Sequence, residues 1–450
     1  MLSLFSFCIG YAQVVNPLDS MRQQFNLDIT QMRAEFEAYE KQARADYERY
    51  VQSVKSVWGG DTVVVNTKKV WVEYGKDFKS RSIVDFENGG IQVEITVDES
   101  EKQDTSVVNN RLADAVEQML NSRGSTRPYS LSVDGFIPLT EKPILDGLVD
   151  LSKFDMETSQ DVLDVLMENT ANVPPKPTVK GKELDIRQRS EVRRDNKEDT
   201  HKKSLNKTLK DKRRKSREKA IRKANSLNNI LNKSTLASKI VAKSKKNINR
   251  IMGADGQTRQ VVQIQMSLVS DNLSRNAALY KDLVEEFSEK FQIEQPLIYA
   301  IMEQESAFNP QAVSSMGAIG LMQLVPKSGG ADAYYYVYHK KWDKEPDYLY
   351  VPRNNIELGT AYLRVLMNQF DSVSDPHCRR LCVIAGYNTG AGNVSIAFIG
   401  NRKLGRAFFE KVESYDYNGL YNYLITNLPY SETRNYVVKV TQKREKYLKK

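Results

Sequence analysis

The stretch "EQESAFNPQAVSSMGAIGLMQ" (Glu303–Gln323) carries two carboxylates two residues apart, then a run of small residues closing on a Gln. Paired carboxylates are the usual equipment for cutting sugar bonds, so the first question is whether Glu303 and Glu305 form such a pair. The preceding "FQIEQPLIYAIM" has helical spacing, and Pro296 suits a first-turn position. Leu297, Ile301 and Glu305 are spaced four apart and share one face, with Ile298, Met302 and Ser306 beside them. Glu305 therefore projects from an apolar stripe. At roughly 100° per residue, Glu303 falls about 200° away and is expected to face solvent. The two should not pair. A carboxyl on an apolar face is costly to ionise, which raises its pKa and suits it to general acid work. On spacing alone, a buried Glu tied to an Arg or a backbone amide fits equally.

Outward from this stretch, the chain of 450 residues leaves room for two or three domains and a substantial core. No run of 18 apolar residues suggests a transmembrane helix. The first residues, "MLSLFSFCIGYAQ", form a short apolar run ending in Gly10-Tyr11-Ala12, like an export signal over 1–12, though nothing before Met21 is basic. Phe7 rather than Gly or Ala precedes Cys8, so a lipid anchor is not expected. An exported, periplasmic or envelope location is the reading, with outer-membrane association open. Cys378 and Cys382 lie four apart, within disulfide reach on one helical turn, and bridged or free thiols are both open. His201, His339 and His377 are too scattered for a zinc set, and no metal or cofactor is expected. The sequence is silent on oligomeric state.

Residues 18–57 are helical in pattern, with Met21, Phe25, Ile29, Met32 and Phe36 at three- and four-residue spacing. "SRSIVDF" and "IQVEITV" alternate around "ENGG", a hairpin. A helix over 103–123 follows, with Val107, Leu112, Val116 and Leu120 on one side. These elements make a small α+β domain over 13–175. Residues 176–250 hold 26 Lys and Arg against 8 Asp and Glu, more than the whole basic excess of the chain, whose net charge is +9. Such a run reads first as a solvated or disordered insertion, and beyond that as a patch for an anionic partner. No aromatic interrupts the run, which argues against a base-stacking platform, and no nucleic-acid partner is expected. "RQVVQIQMSLV" (259–269) alternates as a strand stranded between helical regions. A lone strand must pair, and the expectation is that it returns to the N-terminal sheet.

The stretch "ESAFNPQAVSSMGAIGLMQ" resembles the motif of soluble-type lytic murein transglycosylases. Downstream "GYNTGAGNV" (386–394) resembles that family's Ala-Tyr-Asn-x-Gly-x-Gly motif, with Gly386 where Ala is usual, and "LPYSETRNYVVKV" (428–440) its closing motif. All three occur in the family's order. The N-terminal "YGKDFKSRSIVDFENGGIQVEI" is similar to the murein transglycosylase C subfamily, from which the basic insertion departs and whose anchor Cys is not convincingly matched by Cys8. The resemblance implies an α+β chain: a small N-terminal α+β domain, then a mainly helical, lysozyme-like catalytic domain over 275–450.

It also implies a reaction on peptidoglycan glycan strands, cut between N-acetylmuramic acid and N-acetylglucosamine without water. The muramic 6-hydroxyl would attack its own anomeric carbon and leave a 1,6-anhydro end. One carboxyl suffices for that, acid first and base second, and no second buried acid stands near Glu305. By the same resemblance Glu305 is the acid/base and Ser314 binds substrate near the scissile sugar. Met322 and Gln323 line the groove after the "GAIG" turn. Tyr387 and Asn388 orient Glu305 and contact an N-acetyl group, and Tyr436 closes the site. The aromatic stretch 332–351 reads equally as groove lining or packing. The competing readings are a goose-type hydrolase, a wall-binding protein without catalysis, and a nucleic-acid binder driven by the basic run. An exported location would exclude the last.

Overall fold

The computed structural model describes residues 45, 47–60, 63–99, 101, 104–125, 139–154 and 236–449. The export signal expected over 1–12, most of the first helix and residues 176–235 of the basic run lie outside these.

The N-terminal unit is a five-stranded antiparallel sheet. Its strands are β1 (Val70–Tyr74), β2 (Ser80–Asp85), β3 (Gly90–Asp98), β4 (Asn247–Met252) and β5 (Thr258–Ser267), in the order β1-β2-β3-β5-β4. The β2–β3 hairpin turns at the Asn88-Gly89-Gly90 stretch, where Gly89 sits at φ +72. The register sets Arg81 opposite Glu94, and the two form a buried ion pair with the Arg81 guanidinium 4.0 Å over the Trp58 ring. Helix α1 (residues 47–58) covers one sheet face through Tyr50, Val54 and Trp58. On the other face lie α2 (Thr105–Asn121) and α3 (residues 236–243), burying Leu112, Val116, Met119 and Ile240 against Phe86, Val93, Ile95 and Ile264. Asp104 caps α2 by accepting from the N–H of Ser106 and Val107. Val107, expected on the buried side, is exposed, and Val108 packs in its place.

Strand β5 pairs along its whole length with β3, from Asp98–Arg259 to Gly90–Ser267, so the expected return to the N-terminal sheet is what the fold shows. The far boundary of the basic run is corrected. Residues 236–250 are not insertion: α3 carries buried Ala237, Ile240 and Val241, and Asn247–Arg250 begins the edge strand β4. β4 is almost wholly exposed. With one face open, its "NINRIM" has no alternation to read, and its Asn and Arg suit an edge that must not pair further.

The C-terminal unit is helical: α4 (Asn272–Leu279), α5 (Lys281–Phe291), α6 (Gln295–Ser306), α7 (Gly329–Tyr338), α8 (Pro352–Gln369), α9 (Pro376–Thr389), α10 (Ala391–Ile399), α11 (Arg406–Glu413), α12 (Tyr417–Asn427) and α13 (Ser431–Leu448). One core joins Phe287, Ile301, Phe308, Leu363, Ile384 and Val437. α6 runs through its middle and buries residues on every side, with α13 packed along it.

That position corrects the expectation for Glu303. It is not on a solvent face, because α6 has none. It is buried, and Lys443 Nζ (2.8 Å), Lys446 Nζ (2.9 Å) and Tyr447 Oη (2.6 Å) donate to it from the last turns of α13. Angular position on a helix fixes direction, not exposure, when neighbours enclose the helix. The aromatic stretch is divided: Tyr334 and Tyr350 are packed, while Tyr335, Tyr336 and Tyr338 are exposed. The Tyr334 ring meets Trp342 at 5.3 Å and Tyr348 at 6.4 Å, both edge-on. Cys378 and Cys382 are free, buried thiols on α9.

The two units meet through specific bonds. Gln311 exchanges hydrogen bonds with the Ser125 backbone, Nε2 to the carbonyl at 2.7 Å and the N–H to Oε1 at 3.2 Å. Asn272 Nδ2 donates to the Phe86 carbonyl at 2.8 Å, and the Val313 N–H reaches the Thr67 carbonyl at 3.4 Å.

Candidate active site

Helix α6 ends at Ser306, and the chain turns sharply through Ala307 and Phe308, both at positive φ. Ser306 fixes the turn, its Oγ donating to the Leu321 carbonyl at 2.8 Å and lying 3.1 Å from that of Met302. The following loop is a compact knot. Ile319 bridges both Val313 and Leu324. Gly320, at φ +77, lets the backbone pass where a Cβ would strike the Asn355 amide and the Leu349 carbonyl. Asn355, fully buried on α8, ties the knot. It accepts from the Met322 N–H at 2.7 Å and donates to the Ile319 and Leu349 carbonyls at 2.9 and 2.8 Å.

This scaffold leaves a cleft of about 970 Å³ whose lining includes Lys68, Glu305, Ser314, Gln323, Asp332, Tyr362, Tyr387, Asn388, Tyr430, Glu432 and Thr433. Glu305, 6% exposed, is its buried acid. Burial pushes the Glu305 carboxyl above its ordinary pKa, and this outweighs the opposing pull of Lys68 and Tyr436. The Lys68 ammonium stands 3.8 Å from Glu305 Oε2 and 3.9 Å from Glu432 Oε1. Glu303 takes the opposite course. Its burial would raise the pKa, but the bonds from Lys443, Lys446 and Tyr447 prevail and hold it at about 2. A carboxyl so ionised and so engaged has no proton to give.

The sequence-predicted residues fall into two groups. Ser314, Gln323, Tyr387 and Asn388 line the cleft with Glu305. Ser314 Oγ accepts from the Met316 and Ala318 N–H groups at 3.2 and 3.0 Å, which leaves its own hydrogen to offer. Gln323 Nε2 donates to the Gly320 carbonyl at 3.1 Å, while its buried Oε1 has no partner among the described residues. Asn388 Oδ1 accepts from Thr433 Oγ1 at 2.7 Å. Met322 and Tyr436 do not line the cleft. The expectation for Met322 is corrected: its side chain is fully buried against Gly359 on α8, and it serves the site through its carbonyl, which accepts from Tyr387 Oη at 2.9 Å. Tyr436 is buried close enough to Glu305 to feel its charge, and its hydroxyl has no fully formed hydrogen bond among the described residues. Burial pushes both tyrosines well above the ordinary range, so they remain proton donors.

Sequence reasoning missed Asn355, Asp332 and Lys68. A fully buried Asn inside a helix had a local signal in "PRNNIELG", since Asn seldom sits in a helix interior without a bond to make. Asp332 opens the aromatic stretch 332–351. Lys68 gave no signal, because a Lys beside a strand is ordinarily solvated.

The chain is similar to known proteins over both units. A family model described as Transglycosylase SLT domain covers residues 282–407. One described as Membrane-bound lytic murein transglycosylase C, N-terminal domain covers residues 18–156. The chain is 27% identical over 399 residues to membrane-bound lytic murein transglycosylase C of Haemophilus ducreyi, covering 88% of this chain and 84% of that one. To the protein of the same name from Serratia proteamaculans it is 39% identical over 189 residues, 42% of this chain and 51% of that one. Among solved structures, the 70-kDa soluble lytic transglycosylase of Escherichia coli is 29% identical over 37% of this chain. The match spans about a quarter of that protein (23%), with a TM-score of 0.28, too low to carry an argument. The chain carries, in order, both domain types of a lytic murein transglycosylase: the N-terminal domain of the C type and the transglycosylase SLT domain.

Proposed function

We propose that the cleft cuts the β-1,4 bond between N-acetylmuramic acid and N-acetylglucosamine in peptidoglycan, with Glu305 as its single acid and base. Glu305 protonates the glycosidic oxygen as the anomeric bond breaks. The carboxylate so formed then takes the proton of the muramic 6-hydroxyl as that oxygen closes on the anomeric carbon. Proton and bond counts balance without water. The observation that carries this reading is the division of labour on α6: one carboxyl raised by burial opens into the cleft, and the other is locked in ion pairs behind it. Ser314, Asn388 and the free Gln323 Oε1 are the polar groups that would hold the sugars. Tyr387 and Tyr436 brace the acid.

A hydrolase is the second reading, and Asp332 is what favours it. It lines the same cleft, and a hydrolase needs a second carboxylate to activate water or attack carbon. Burial raises the Asp332 pKa, which makes its carboxylate a stronger base once ionised, so electrostatics do not decide between the two readings. Mass spectrometry of sacculi digested by the purified protein separates the two. Anhydro ends, one water lighter than reducing ends, are the expected product. Reducing ends alone would establish hydrolysis.

A murein-acting family is exported and envelope-associated. We place this chain in the periplasm, with residues 176–235 meeting an anionic envelope surface.

A further inference from the structure

The N-terminal unit does more than sit beside the cleft. Its loop 66–69 is held rigidly. Asn66, buried, accepts from the Val72 N–H at 2.6 Å. Thr67 Oγ1 accepts from the Val70 N–H at 3.1 Å, and the Thr67 carbonyl receives the Val313 N–H from the catalytic unit. Lys69 turns back to Glu87 on its own sheet. The Lys68 side chain reaches the cleft, to stand 3.8 Å from Glu305 and 3.9 Å from Glu432. Both separations exceed a hydrogen bond, so the ammonium is an electrostatic neighbour of each carboxylate without being spent on either.

We propose that Lys68 is a positioning residue for the acid, delivered across the domain boundary and held between Glu305 and Glu432 so that the catalytic centre is complete only when the N-terminal unit is docked. This rests on the reading of Glu305 as acid/base. When Glu305 gives up its proton to the leaving oxygen, a carboxylate appears in a dry site where solvation is poor. Lys68 then offsets that charge at short range, and the cost of ionisation falls just when the bond breaks. The groups that face Glu305 act in two senses. Lys68, Lys69 and Tyr436 favour the ionised form and Glu432 opposes it, while Tyr387 is buried close by. Glu432 therefore does two things. It restrains Lys68, and it keeps the acid from becoming too strong to hold its proton.

The test compares kcat, KM and pH profiles of the full-length Lys68→Met, Lys68→Arg, Glu432→Gln and Glu305→Gln variants on defined glycan strands. Lys68→Met should raise the pKa of the acid, moving the alkaline limb of kcat up by about one pH unit while lowering the plateau about tenfold. KM should stay within about twofold, and Lys68→Arg should restore most of the rate. Glu432→Gln should move the limb the other way, and it serves as the second test should Lys68→Met lower the thermal midpoint. A purely structural role would shift stability without moving the limb. If Glu305→Gln is dead and Lys68→Met keeps the wild-type limb and kcat, or changes KM alone, the Lys68 assignment is overturned and the acid stands. If Glu305→Gln remains active, the acid assignment falls and Lys68 falls with it.

Discussion

Glu303 and Glu305 sit two residues apart on one helix, both buried, and the fold sends them in opposite directions. Glu303 faces α13, where two ammonium groups and a phenol surround it and hold it ionised at about 2. Glu305 faces the cleft, where burial outweighs a single lysine at 3.8 Å and keeps it above its ordinary value. The difference teaches that burial alone does not make a general acid. What counts is how many fixed positive and hydrogen-bonding groups repay the desolvation. One carboxyl became a bolt for the last helix and the other a reagent.

The comparison breaks most visibly at Glu305. Glu305→Gln should lower turnover by at least about 10³-fold with the fold and glycan binding kept, because it removes the proton but little volume. The stability of the variant should rise at neutral pH. A carboxyl whose pKa is raised on folding contributes stability below its unfolded pKa and loses it as pH climbs toward the folded value, so removing it removes that loss. Kinetics and thermal melts of one protein preparation check both.

Next in size is the knot that aims Glu305. Gly320→Ala forces a side chain into the left-handed region and against Asn355 and the Leu349 carbonyl, at a cost of about 3 kcal/mol. Denaturant unfolding should show that loss, with activity falling along with it.

Glu303→Gln should cost stability and little chemistry. It strands Lys443 and Lys446 beside a neutral amide. Breaking a buried pair costs about 3–5 kcal/mol, reduced here to roughly 2 because Lys446 is partly solvated. The sign with pH is fixed by the lowered pKa. The contribution is present above the unfolded carboxylate range and is lost as pH falls from there toward 2, so acid unfolding of the variant should be flatter over that window. Equal loss of activity in Glu303→Gln and Glu305→Gln would erase the contrast.

The smallest effect is expected from deleting 176–235, which stops short of α3 and β4. Activity on short soluble glycans should be unchanged, while adsorption to sacculi or anionic vesicles should weaken, most at low salt where screening is least. Loss of activity on short glycans would show that the segment belongs to the catalytic fold.

Much of this architecture is written locally. The helical spacing through Leu297, Ile301 and Glu305, the Gly-Gly turn of the hairpin and the alternation of β5 are each decided by neighbours in sequence, so they were legible. Where the readings missed, a distant partner decides. Glu303 points away from Glu305 as its angle requires, but α13, some 140 residues on, covers it. Met322 sits in a motif that suggests a groove, yet Gly359 leaves room for its side chain in the core. β4 lacks a pattern because an edge strand needs none. Lys68 reaches Glu305 only because two domains dock, which no spacing in the chain encodes.

The most direct measurement is the titration of the two carboxyls themselves. Protein labelled with 13Cδ-glutamate, with the Glu303→Gln and Glu305→Gln variants to assign the resonances, reports each pKa by NMR. The account predicts a Glu305 carboxyl titrating clearly above the ordinary glutamate value and a Glu303 carboxyl titrating near 2. Two carboxyls titrating together near the ordinary value would contradict it.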